Sequence, residues 1–208
     1  YIEMPNTRPQ TTTIIEYDKK RLIASKNSAA NYSFMFGVTN DNYSEILKLN
    51  KCNVPGLKMF LGSSTGQMLV DDYEVINKIF KNIDLVISAH CEDEEIINEN
   101  LEKAKKKYGY NIPVFEHPNI RSEKACYTSS SNIINIAKKS GARLHVFHIS
   151  TEKEISLFDN KIPLDKKKIT SEACIHHMWF SDKDYKSKGN FIKWNPAIKK
   201  DNDRNSII

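Results

Sequence analysis

The 208-residue sequence predicts an α/β chain, most of a (β/α)8 TIM-type barrel. Three observations predict it. Short apolar or β-branched runs alternate with helix-like stretches along the whole chain, the signature of parallel strands covered by helices. No G-x-G-x-x-G follows the first strand and no Gly-rich phosphate loop occurs, so a dinucleotide-binding sheet has little support. The alternation yields about six βα units, roughly strands 2 to 7, where a closed barrel takes eight and about 250 residues. One further unit is expected before Tyr1 and one after Ile208.

The elements follow in order. "YIEMPN" (1–6) reads as the end of a strand. "SFMFGVT" (33–39) is a strand followed by helical "NYSEILKLN" (42–50), and "GLKMFLG" (56–62) is followed by "DYEVINKIFKN" (72–82). "LVISAHC" (85–91) precedes the helical stretches "EIINENLEKAKKKYG" (95–109) and "SSNIINIAKKSG" (130–141). "RLHVFHIS" (143–150) precedes "EKEISLF" (152–158), and "KITSEACIHHMWF" (168–180) is the last strand.

With 39% hydrophobic residues the chain can bury one sizeable core, so residues 1–208 are expected to form one partial barrel domain. The net charge of +5 arises from 31 basic and 26 acidic residues. Its basic runs, "KAKKKYG" (103–109) and "DKKK" (165–168), do not interleave aromatics as a nucleic-acid platform would and read as solvated faces, so no nucleic-acid partner is expected. Cys52, Cys91, Cys126 and Cys174 form no C-x-x-C pair, against a zinc ribbon or a disulfide scaffold and for a reducing compartment. No apolar segment reaches the roughly 18 residues of a membrane span, and the first residues lack the regions of a secretory signal. A soluble, cytoplasmic protein without a membrane partner is expected. The start is not a methionine, so an excerpt of a longer chain is expected too.

Barrel enzymes carry their chemistry at the C-terminal ends of the strands. Side chains alternate along a strand, so Val86, Ser88 and His90 share one face, as do Leu144, Val146 and His148, and Gly56, Lys58 and Phe60. His90 alone reads first as a core histidine satisfied by a carbonyl. The acidic "EDEE" after it is accounted for by helix capping at Asp93 and by glutamates at a helix N-terminus. A second histidine at a strand end, His148, strengthens a metal-ligand reading of the pair, since neutral imidazole suits zinc and similar ions. Lys58 is the sharper anomaly. An inward ammonium is costly to desolvate, and a lysine pushed toward its neutral form can take up carbon dioxide as a carbamate able to bridge two metals. An ordinary lysine at a strand end is the other reading.

"MPNTRPQTT" (4–12), "GLKMFLGSSTG" (56–66), "AHCED" (89–93), "HVFHIST" (145–151) and "KWNPAIKKDNDR" (193–204) resemble, in order, the successive motifs of dihydroorotase, a member of the metal-dependent amidohydrolase superfamily. The resemblance implies that His90 and His148 are metal ligands and that Lys58 is the strand-four lysine, carbamylated in many members, that bridges two divalent ions, zinc above all. Some members bridge with an aspartate, which keeps Asp71 or Asp72 of "VDDY" (70–73) open for that role. Asn6 of "MPN" and Asn195 of "NPA" match asparagines that hold the substrate.

The family's His-x-His pair with its arginine, and its strand-eight aspartate acting as general acid and base, match nothing in the chain. They are expected before Tyr1 and after Ile208, so the 208 residues alone are expected to be inactive, with no catalytic base of their own. His145 has the parity of a helix-facing residue, and His117 lies in the loop "FEHPNIRSE". His176 and His177 end the last strand, where one could line the site. Arg121 resembles a structural arginine of the family.

The resemblance implies dihydroorotase activity, the reversible closure of N-carbamoyl-L-aspartate to L-dihydroorotate in pyrimidine biosynthesis. A small-molecule substrate is the expected partner, and a homodimer is one assembly it allows. Allantoinase and hydantoinase are near alternatives, and a non-catalytic scaffold of the same fold is a third.

Overall fold

The computed structural model describes residues 1–62 and 68–208, so the "SSTG" end of the motif at 56–66 lies outside the described residues. Along the chain run β1 (Ile2–Glu3), α1 (Ile14–Asn27), β2 (Ser33–Phe34), β3 (Phe36–Gly37), α2 (Tyr43–Leu47), β4 (Leu57–Phe60), α3 (Tyr73–Asn82), β5 (Ile87–His90) and α4 (Glu94–Tyr108). They are followed by α5 (His117–Ile120), α6 (Glu123–Ser140), β6 (Leu144–Val146), α7 (Glu152–Ile155), β7 (Ile169–Ser171), α8 (Ile175–Trp179), α9 (Tyr185–Lys188) and α10 (Asp201–Ile207). The residues group into two compact units, Tyr1–His90 with Ile136–His145, and Cys91–Asn135 with Val146–Ile208.

In the first unit β3, β4 and β5 are parallel neighbours, with Phe36 opposite Leu57 and Leu57 opposite Ile87. The β5 edge continues to the approach of β6, where the Ile87 amide donates to the Arg143 carbonyl at 2.9 Å. Every residue of β4 and β5 is buried, as befits parallel strands covered on both faces, and this is why they read as unbroken apolar runs. Gly56 is required where the strands converge: a Cβ there would stand 2.5 Å from the Val86 carbonyl oxygen.

The run at 33–39 is two strands rather than one. Ser33 and Met35 donate to the carbonyls of Tyr1 and Glu3, and Phe36 then donates to Gly56, so the chain changes partner after Met35. Helix α3 buries Ile76, Ile79 and Phe80 at helical spacing and is capped by Asp72, which accepts from the Glu74 amide at 2.8 Å. Helix α1, capped by Thr13, has no counterpart in the sequence-based expectation. It buries only Tyr17 and Ala24 and leaves Ile15, Leu22 and Ile23 exposed, so no apolar stripe announces it.

In the second unit, Asp93 caps α4 by accepting from the Ile96 amide at 3.0 Å. Glu94 and Glu95 fill the first turn and Lys105, Lys106 and Lys107 the last, as the helix dipole favours. β7 lies beside the end of β6: the Glu172 amide donates to Val146 and the Ile149 amide to Glu172. The strand expected over 168–180 stops at Ser171, and Ile175–Trp179 is helical. The apolar and aromatic run that suggested a strand is a short helix instead, with His177 buried and Ile175 and Trp179 exposed. The C-terminal stretch is anchored by a small core of Tyr185, Ile192 and Ile198. No described helix is long and apolar enough to cross a membrane.

Candidate active site

Within the first unit, the register sets Lys58 opposite Ser88 and Phe60 opposite His90, so Lys58, Phe60, Ser88 and His90 occupy one face of the sheet. Lys58 is 2% and His90 4% exposed. The Lys58 Nζ stands 4.8 Å from the centre of the Phe60 ring, whose centre is 6.1 Å from that of His90. A lysine side chain at this depth, flanked by the fully buried Leu57 and Met59, is uncommon, since lysine is seldom fully buried.

His148, in the second unit, is placed by a turn and not by strand alternation, because β6 ends at Val146. Its backbone has φ 38°, the one positive value among the described non-glycine residues. Left-handed backbone at a histidine is a strained arrangement that proteins retain mainly at functional positions.

Asn6 in the first unit and Asn195 in the second are both exposed, and the Asn195–Pro196 peptide is cis. The two aspartates kept open as bridges are surface residues of the first unit. Asp72 is committed to capping α3, and Asp71 accepts from Asn40 Nδ2 at 2.8 Å beside an open polar pocket of about 620 Å³ that also includes Thr39 and Asn42.

His145 is half-buried, between the buried Leu144 and Val146, in keeping with the opposite parity. His117 starts a short helix and is not in a loop, and its Nε2 lies 2.7 Å from the Trp194 carbonyl. Arg121 donates through Nη1 to Glu92 Oε2 at 2.5 Å, and Glu92 is wholly buried. Glu92 escaped the sequence-based expectation because nothing in "EDEE" separates the one buried acid from three at a helix start.

Glu154 was missed likewise. It is buried under hydrogen bonds from Ser130 Oγ, the Ser150 amide and Thr151 Oγ1, and burial raises its pKa.

No protein-family model matches the chain. Among solved structures, the L-hydantoinase (dihydropyrimidinase) from Arthrobacter aurescens superposes on 99% of this chain with a TM-score of 0.90 at 22% identity, over 46% of its own length. The chain has the hydantoinase fold. It is a parallel-sheet α/β arrangement that resembles part of that hydantoinase's barrel.

Its homologues among curated proteins carry related names. The dihydroorotase of Methanosphaera stadtmanae is 28% identical over 202 residues, 97% of this chain and 45% of that protein. The allantoinase of Desulfitobacterium hafniense is 27% identical over 96% of this chain and 45% of that protein. The chain thus spans about half the length of the curated relatives it matches.

Proposed function

We propose that the full-length protein is a metal-dependent cyclic amidohydrolase, and specifically a dihydroorotase that interconverts N-carbamoyl-L-aspartate and L-dihydroorotate. The observation that carries this is the buried Lys58 on the same sheet face as the buried His90, within motifs that keep dihydroorotase order. Relatives named allantoinase are about as similar as those named dihydroorotase. "HCED" (90–93) and "NPAIK" (195–199) favour the dihydroorotate ring.

The donor chemistry fits a divalent cation. His90 supplies a ring nitrogen, His148 a second from the strained turn after β6, and Lys58 an amine whose neutral form can add to carbon dioxide. In that step the N–C bond forms, a proton leaves to solvent, and a carboxylate-like anion replaces the amine in its buried setting. Asp71 and Asp72 are weaker candidates for the bridge because both are engaged at the surface. A bound divalent ion, zinc in the first instance, supplies Lewis acidity toward the amide carbonyl and acidifies water. The exposed carboxamides of Asn6 and Asn195 can donate through their NH2 groups to the substrate carboxylate and accept from a ring N–H, fixing its orientation. None of the 208 residues is assigned the proton-shuttling role.

The test is a side-by-side assay of the full-length protein on dihydroorotate, allantoin and hydantoin, with and without chelation. Metal-dependent ring opening with a preference of about 100-fold or more for dihydroorotate is expected. Equal or greater turnover of allantoin would reassign the substrate, and no ring opening of any of the three would support a scaffold.

A further inference from the structure

We propose that Cys174, His176 and His177 form a second cation site with its own ligand set, a three-ligand centre for a zinc-class ion where the chain leaves β7 and enters α8. The Cys174 sulfur and one ring nitrogen from each histidine all lie within 4.8 Å of one another. Tetrahedral zinc, with bonds of about 2.0–2.3 Å, sets its ligands about 3.5 Å apart. Small side-chain rotations therefore close the set.

His177 supplies the independent observation. It is 3% exposed, and its Nε2 lies 3.0 Å from the Pro196 carbonyl. A carbonyl only accepts, so Nε2 carries the proton and Nδ1 is left with a bare lone pair. That Nδ1 is buried and has no hydrogen-bond partner. A buried acceptor left unsatisfied is destabilising, and a cation is the partner its lone pair suits. A backbone carbonyl holding the far nitrogen is also the usual support of a metal-bound imidazole, fixing both tautomer and ring direction. Burial, the dominant influence, pushes the His177 pKa down to about 4 and so keeps the ring neutral.

His176 is held by stacking on Trp194, with ring centres 4.3 Å apart and planes 13° from parallel, and its own ring centre is 4.4 Å from that of His177. Cys174 is a free thiol. Of the charged groups that bear on His177, Lys199 opposes a cation and Glu92 favours one, so the thiolate formed on binding supplies the decisive negative charge. Sulfur with two imidazoles selects zinc-like ions over magnesium or calcium. Cys174 and His176 are only half-buried, which leaves a fourth coordination position open to water.

The experiment uses the full-length protein, stripped by chelation and titrated with cobalt(II). A thiolate-to-cobalt charge-transfer absorption is expected at saturation. It should vanish in Cys174→Ser, require about 10-fold more cobalt in His177→Gln, and persist in His90→Ala, whose loss belongs to the ligands assigned above. Absence of the band in the wild type, or its survival in Cys174→Ser, would overturn the site. A measurement on the wild type alone guards against misfolded variants: zinc should slow alkylation of Cys174 at least about 10-fold while leaving the exposed Cys52 unaffected. Equal alkylation of Cys174 with and without zinc would also overturn it.

Discussion

Arg121 and Glu92 form an ion pair with an N–O distance of 2.5 Å, in which the carboxylate is wholly buried and the guanidinium 12% exposed. The pair ties the start of α4 to the segment leading into α6, and both residues lie in the second unit. Removing one partner from such a pair leaves a buried charge uncompensated. Arg121→Ala is therefore expected to cost about 3–5 kcal/mol of stability, read as a fall in the urea midpoint. Replacing both residues with apolar groups of similar volume should cost far less. A single variant as stable as the wild type would show that the pair makes no net contribution to stability.

Lys58 separates chemistry from packing. Lys58→Met keeps most of the length of the side chain and removes the buried amine, so metal content and turnover should collapse while the variant still folds. Small carboxylic acids added to Lys58→Ala should restore part of the activity by replacing the missing anion. Asp72→Ala should behave in the opposite way, losing about 1 kcal/mol with the α3 cap and keeping both metal and activity. If Asp72→Ala loses the metal and Lys58→Met keeps it, the aspartate is the bridge.

His148 tests whether backbone strain and ligation reside in one residue. Glycine accepts φ 38° without the Cβ penalty that alanine retains, so His148→Gly should be more stable than His148→Ala by about 1 kcal/mol. Both should lose metal by elemental analysis. Alanine proving the more stable would show that the turn relaxes once the imidazole is gone.

His117 sets a pH dependence. Burial, outweighing the contact with the Trp194 carbonyl, lowers its pKa below the ordinary 6.5, so the folded protein holds it neutral while the unfolded chain takes up a proton first. Its contribution to stability is complete above about pH 6.5 and is lost as the pH falls toward the depressed folded value. Unfolding in urea between about pH 8 and pH 5 should show a shallower decline for His117→Gln than for the wild type. Parallel declines would exclude His117 as the source.

What the sequence disclosed depended on whether the determining contacts were local. β4 and β5 were legible because burial on both faces leaves unbroken apolar runs, and the shared face of Lys58 and His90 follows from alternation within each. The break at Met35 was not, because it depends on two different partner strands. The last strand was drawn too long since Cys174 gives α8 no side-chain cap, and so no start signal marks the helix. Glu92 and Arg121 find each other only after α4 has folded back, and neither sits in a periodic pattern.

Gly56 is a spacer that no other residue can replace. With a Val86 oxygen 2.5 Å from where a methyl would sit, any side chain at 56 must wedge β4 away from the chain entering β5. The displacement would reach Lys58 two residues later, on the same side of the strand. The position of a buried amine is thus calibrated by an atom that is missing.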